Sequence, residues 1–179
     1  MVAESMTPKE RFQAALTGQP VDRPCSASIT SVANFELMDL VGAHFPDANT
    51  DPGPMAELAA SAHDVMGFDS VMPIFGIAQE ATALGCVVDF SDPGNLPTPQ
   101  TAPWADRDAE IRLPDGYPDS FLEDQYVKCA LDAIRLLKEH FGDKVMILGK
   151  VMGPWTLSYH VSVSYTHLRA HETDSYLVC

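Results

Sequence analysis

The sequence predicts an α/β chain in which helices alternate with parallel strands. Two observations carry this. The runs from Phe68 to Phe75 and from Val145 to Val151 are nearly continuous in apolar residues and of strand length, the composition of strands covered on both faces. Amphipathic helices with clear stop signals lie before and between them, which is the pattern of βαβ units. It suits either a doubly wound sheet or a (β/α)8 barrel. A barrel typically takes about 250 residues, so the roughly 160 residues that precede an atypical tail would form only its first half.

The first element is read from its punctuation. Thr7 can cap a helix, Pro8 takes the first helical position, where no amide donor is needed, and Glu10 closes a capping box back onto Thr7. Phe12, Ala15 and Leu16 share one face, and Gly18 stops the helix. Cys25 to Thr30 is short and apolar at alternate positions, which predicts a strand. Asn34 to Leu40 predicts a helix with Phe35, Leu37, Met38 and Val41 on its apolar side and Gly42 as its stop. After a turn-rich stretch from His44 to Asp51, Pro54 to Met66 predicts a helix whose Met55, Leu58, Ala59, Ala62 and Met66 recur at helical spacing, ended by Gly67. The apolar run to Phe75 follows as a strand, then a helical turn from Ala81 to Gly85 and a small extension from Val87 to Phe90. Residues 91–119, rich in Pro, Asp and Gly, predict a long irregular excursion. The helix expected from Phe121 to Phe141 carries Leu122, Tyr126, Cys129, Ala133 and Leu137 as one stripe, and Gly142 ends it before the strand that opens at Val145.

Composition excludes several functions. A net charge of −14 argues against nucleic acid or an anionic membrane surface as a partner, because both require basic patches. Cys25, Cys86, Cys129 and Cys179 are widely spaced with no CxxC, which supports neither a disulfide framework nor a zinc knuckle. No run reaches the roughly 20 apolar residues of a membrane span, and the first residues lack a signal-peptide core, so a cytoplasmic location is expected. Neither GxGxxG after a strand nor GxxxxGK[ST] is present, and there is no internal repeat.

The end of the chain departs from the character of the rest. Val163 to Thr173 resembles a translated transposase-adapter sequence, with Asp174 to Cys179 as the index and primer that follow it. Residues 1–162 are therefore expected to be the native part, cut from a longer protein, and 163–179 a non-native tail. This removes His167 and His171, whose i,i+4 spacing would place two imidazoles on one helical face as metal ligands, and Cys179 from the functional candidates.

The string from Met6 to Pro24 resembles the start of the uroporphyrinogen decarboxylase superfamily. Four further stretches extend the likeness: Glu36 to Gly42 with Phe45-Pro-Asp-Ala; Met55 to Ala59 with Gly67 to Phe75; Glu80 to Asp89; and Gly149 to His160. Together they look most like the methylcobamide:coenzyme M methyltransferase branch, over nearly all of residues 6–161. The resemblance implies the N-terminal half of a (β/α)8 barrel, truncated, with its site at the C-terminal ends of the strands. It implies methyl transfer from a methylated corrinoid protein to a small thiol such as coenzyme M. The cofactors implied are the methylcobamide on that partner and a thiol-activating zinc, whose His-x-Cys and later Cys ligands lie beyond this chain. No residue here is assigned to the metal.

Departures from the decarboxylase pattern separate the branches. Decarboxylases of the superfamily carry an arginine-rich segment just after the first strand to hold the substrate's carboxylates. Ile29 to Glu36 contains neither Arg nor Lys, and a carboxylate left unpaired in a pocket is costly. They also place an aspartate at the end of the second strand, where this chain has Gly76. Two alternatives stay open: a uroporphyrinogen decarboxylase, favoured if the complete gene lacks the His-x-Cys and distal Cys, and a non-catalytic barrel that binds a corrinoid protein.

Glu80 and His160 are the catalytic candidates. Glu80 follows the second strand and is expected to approach the zinc or orient the thiol, against a solvated or helix-capping carboxylate. His160 follows the third main strand and aligns with a tyrosine that faces substrate in the decarboxylases. An imidazole there would hydrogen-bond an anionic ligand group or transfer a proton. Thr30 and Asn34 are expected as polar lining above the first strand. Pro154 and Trp155 are expected to shape the loop and wall of the pocket, with packing as the competing reading; these four are the cofactor-binding candidates. Cys25, Cys86 and Cys129 are expected to pack rather than ligate. Lys150, inside an apolar run, requires a partner or a place at the strand end, and His63 and His140 are expected on the surface. The chain by itself is expected to be inactive, since a half-barrel leaves a strand edge and an apolar face open.

Overall fold

A computed structural model describes residues 4–94, 96–105 and 112–162. In chain order its elements are α1 (Pro8–Leu16), α2 (Phe35–Val41), α3 (Asp47–Thr50), α4 (Pro52–Asp64), β1 (Ser70–Val71), α5 (Gln79–Ala83), β2 (Val88–Asp89), β3 (Thr98–Pro99), α6 (Asp119–Glu123), α7 (Gln125–Phe141), β4 (Met146–Ile147) and α8 (Pro154–Ser162). They fall into two compact units, Met1–Phe75 with Cys129–Lys150, and Gly76–Lys128 with Val151–Cys179. Among the described residues no helix is long and apolar enough to cross a membrane. The tail expected at 163–179, with His167, His171 and Cys179, lies outside the described residues.

In the first unit, α1 has the expected capping box: the Glu10 amide donates to Thr7 Oγ1 at 3.2 Å, and the Thr7 amide donates to Glu10 Oε2 at 2.8 Å. Its inward face is not the expected one. Leu16 is 76% exposed and Arg11 is fully buried, because the guanidinium reaches carboxylates that flank the helix. The strand expected from Cys25 to Thr30 forms no ladder. The Ser26 amide donates to Asp69 Oδ2 at 2.8 Å and the Asp69 amide to the Ser26 carbonyl at 2.6 Å, so this segment is tied by single bonds and a side chain. Helix α4 starts earlier than predicted because Asp51 caps it, accepting from the Gly53 amide at 2.8 Å, with Pro52 at its first position.

The two expected long strands meet only over Ser70–Met146 and Val71–Ile147, in parallel. Met72 to Phe75 stay buried, but Pro73 has no amide to donate and the ladder stops before it. The core joins Leu37 and Met38 of α2, Met55, Leu58, Ala59 and Ala62 of α4, and Cys129, Ala133, Leu137 and Phe141 of α7 against Val71 and Phe75. Phe35 and Met66, expected in that core, are 64% and 44% exposed.

In the second unit, β2 and β3 pair antiparallel, with β3 inside the expected irregular excursion. Ala81, Leu84, Cys86 and Val161 form its core, with Leu157, Val88, Trp104 and Phe121 packed against them. The helix predicted from Phe121 to Phe141 is two helices. Asp124 is extended (φ −56°, ψ 134°) and its Oδ1 accepts from the Tyr126 amide at 2.9 Å, the Val127 amide at 3.2 Å and Thr82 Oγ1 at 3.0 Å, so it caps α7. Pro154 and Trp155, expected to shape a loop and pocket wall, instead begin helix α8, which Pro154 can open because its position needs no amide. His160 therefore sits in the last turn of a helix rather than at a strand end.

Candidate functional site

Helices α5 and α8 of the second unit pack on each other and bring Glu80 and His160 into the same neighbourhood. Glu80 is in the first turn of α5, and its Oε1 accepts from the Met152 amide at 2.9 Å. The carboxylate thus anchors the segment that leads into α8. Its Oε2 is buried without a partner, and so is Nε2 of His160. The His160 carbonyl accepts from the buried Cys86 thiol at 3.2 Å. Burial depresses the His160 imidazole below its ordinary value, opposed by the charge of Glu80, so the ring is neutral at neutral pH.

Gln79, the neighbour of Glu80 in α5, is a further buried polar residue that carried no sequence signal. It is 2% exposed, and neither its Oε1 nor its Nε2 has a hydrogen-bond partner. Its carboxamide lies against Gly76: a Cβ there would come within 2.8 Å of Nε2. Among the described residues of the second unit, Gln79 Oε1 and Nε2, Glu80 Oε2, His160 Nε2 and Ser120 Oγ are buried polar atoms without partners. Each costs about 1–3 kcal/mol if left so, and a ligand or water that satisfies them recovers that cost.

The remaining sequence candidates lie elsewhere. Thr30 and Asn34 belong to the first unit and are exposed. The Thr30 carbonyl accepts from Ser28 Oγ at 2.7 Å, and Asn34 Oδ1 caps α2 by accepting from the Leu37 amide at 2.8 Å. Both are thus engaged in local backbone structure. Pro154 opens α8, and Trp155 is 74% exposed with its ring edge-to-face on Tyr159. Lys150 lies beyond the end of β4 rather than inside a strand. His140 is exposed, with Nε2 3.0 Å from Asp64 Oδ2. His63 is not the surface residue expected: it is half-buried, its Nδ1 donates to the Phe68 carbonyl at 2.6 Å, and Phe141 packs edge-to-face on its ring.

The donors among the described residues do not fit a zinc centre. Burial pushes the Cys86 and Cys129 thiols up to about 11 and raises Cys25 as well, and the Cys86 thiol is engaged with the His160 carbonyl. Among the described residues no group of three or more His, Cys, Asp or Glu side chains is placed to hold a metal ion.

Comparison with known proteins gives a consistent set of relatives. The family model described as uroporphyrinogen decarboxylase (URO-D) matches residues 7–170. The methylcobamide:CoM methyltransferase MtbA of Methanosarcina acetivorans is 35% identical over 156 residues, covering 87% of this chain and 45% of its own. The methylcobamide:CoM methyltransferase MtaA of Methanosarcina barkeri is 32% identical over 153 residues, covering 85% and 44%. A methylated-thiol–coenzyme M methyltransferase of Methanosarcina mazei is 31% identical over 174 residues, covering 97% and 46%. Among solved structures, a methyltransferase from Methanosarcina mazei matches with a TM-score of 0.80 and 28% identity, over 97% of this chain and 50% of that one. The chain spans about half the length of the curated relatives it matches. The expected fold class, α/β and equivalent to half of a (β/α)8 fold, stands on this structural match and on the parallel pairing of β1 with β4.

Proposed function

Because this chain belongs to the uroporphyrinogen decarboxylase (URO-D) family, we propose that the protein it represents transfers a methyl group from a methylated corrinoid protein to a small thiol such as coenzyme M. The observation that carries this reading is the agreement of its relatives at 31–35% identity, which are named as methyltransferases acting on coenzyme M. The site supports it. Glu80 is the charged group of the cluster and His160 is neutral, so nothing there matches the carboxylates of a uroporphyrinogen.

In this reading Glu80 is a positioning residue, fixing the Met152 amide and with it the entry to α8. When sulfur takes the methyl group the thiol must lose its proton, and the neutral imidazole of His160 has a ring nitrogen free to accept it. The donors described here do not build the family's zinc centre, and no step is assigned to a metal. The reading includes a corrinoid protein and a small thiol as partners and a cytoplasmic location. It takes residues 1–162 as the native part and 163–179 as a non-native, adapter-like tail.

The test is recovery of the longer reading frame and assay of coenzyme M methylation with methylcobalamin as donor, followed by loss of free thiol. His160→Gln is expected to lower the rate by roughly a hundredfold while the protein melts at an unchanged temperature at neutral pH. Consumption of uroporphyrinogen without thiol methylation would replace this reading with the decarboxylase.

A further inference from the structure

We infer that the groove between α4 and α7 in the first unit docks a basic amphipathic helix of a partner protein. The groove has a volume of about 400 Å³. Its lining is apolar at Ala56, Ala60 and Leu137, which are buried or half-buried, and at Val65 and Leu136, which are 47% and 40% exposed. Open apolar side chains beside a buried floor are the surface that a partner covers. Along α4 the lining runs from Gly53 to Val65, about 18 Å of helix. That length holds about three turns of a third helix. The small residues Gly53, Ala56 and Ala60 let its side chains seat between the two helices already there.

Charge decides what kind of helix fits. Among the described residues the lining carries the carboxylates of Glu57 and Asp64 and no Lys or Arg. His140 stands at the Asp64 end, its Nε2 3.0 Å from Asp64 Oδ2. The cations that α7 carries elsewhere are engaged: Lys128 with Glu123, Arg135 with Asp132 and Lys138 with Asp143. The Cys129 thiol, in the core that α4 and α7 share, is raised chiefly by burial and then by the charges of Asp51 and Asp132, so the field there is negative. An acidic helix, or a second copy of a chain with net charge −14, would add like charge. Lys or Arg flanking an apolar stripe would instead meet Glu57 and Asp64.

The position of the groove argues against cover from within. Helix α4 precedes β1, α7 precedes β4, and these strands are hydrogen-bonded neighbours, so the groove separates adjacent helices. Helices added by a longer protein would extend that layer past them. The groove belongs to the first unit, whereas Glu80 and His160 belong to the second, so this surface stands independently of the methyl-transfer reading.

The test is fluorescence anisotropy of labelled helical peptides of about 18 residues, titrated with the longer protein in about 0.15 M salt. The first peptide has Ala and Leu along one side and Lys on the other. A second has Glu in place of Lys, and a third keeps Lys but has Ser in place of Leu. The first is expected to bind at least about tenfold more tightly than either. Glu57→Lys, at an exposed position, and Ala60→Trp, which fills the groove, should each weaken it by about fivefold or more. Asp115→Lys, the same change of charge in the second unit, should weaken it by less than about twofold. If Ala60→Trp melts early, Glu57→Lys decides alone. A first peptide that fails to bind, or binds no better than its two counterparts, overturns the inference. Equal losses from Glu57→Lys and Asp115→Lys overturn it too, since they mean attraction to an acidic surface at large. Self-association in sedimentation that Ala60→Trp abolishes would give the groove to a second copy instead.

Discussion

Arg11 shows how a charged residue comes to occupy the place of a core residue. Its Nε donates to Asp22 at 2.7 Å, its Nη1 to Asp69 at 2.6 Å and its Nη2 to the Met6 carbonyl at 2.8 Å, so the guanidinium is paired as it is removed from water. Arg23 joins the same network through both oxygens of Asp69. Burial alone would raise the Asp69 carboxyl, but the Ser26 amide, Arg23 and Arg11 outweigh it and hold the group below its ordinary 3.8. The Arg11 hydrogen bond holds Asp22 low as well. For a carboxyl depressed in the folded state, the stabilisation is complete above the unfolded value and is lost as pH falls through the folded one. Asp69→Asn is therefore expected to cost about 3–5 kcal/mol at neutral pH in a urea titration. The gap to the parent should shrink on acidification below the ordinary 3.8. His160 is depressed by burial, and its contribution is present above 6.5 and fades as pH falls below that value. Melting temperatures across mildly acidic pH should fall less steeply in His160→Gln than in the parent.

Helix α7 illustrates the scale of the element. Asp124 satisfies two amides of its first turn and Thr82 of α5 with one carboxylate oxygen. Asp124→Ala should cost about 0.5–2 kcal/mol, read as a lower thermal midpoint, and Asp124→Asn should recover most of it. What the sequence made legible follows the range of the interaction. The Thr7, Pro8 and Glu10 capping box and the Gly42, Gly67 and Gly142 stops depend on neighbours a few residues away, and the sequence displays them directly. The cap at Asp124 is equally local, but the apolar stripe running from Leu122 to Leu137 concealed it. Long-range partners were not legible. Arg11 faces inward only because Asp69, 58 residues later, waits there, and Glu80 comes near His160 only because α8 packs on α5. Glu80 and His160 were visible as candidates through the resemblance. The Met152 amide that holds Glu80 had no sequence signature.

At the scale of the whole molecule, the exposed apolar side chains matter most. Val151 is 83% exposed, Ile29 80% and Trp155 74%, more than scattered surface residues of a closed domain need. The chain also spans only about half of its relatives' length. The 179-residue chain is expected to bind a hydrophobic dye strongly and to scatter light increasingly with concentration. The longer reading frame should do neither, and equal behaviour of the two in parallel dye and scattering measurements would refute this.

Gly76 has a consequence for descent. Two of the four glycine codons lie a single base away from an aspartate codon, so the residue that the resemblance assigns to decarboxylases here is within mutational reach. A side chain at that position nevertheless evicts the Gln79 carboxamide, since its Cβ alone would stand 2.8 Å from Nε2. A descendant that gained an aspartate there would have to re-seat Gln79 in the same step, so the two positions are expected to change together.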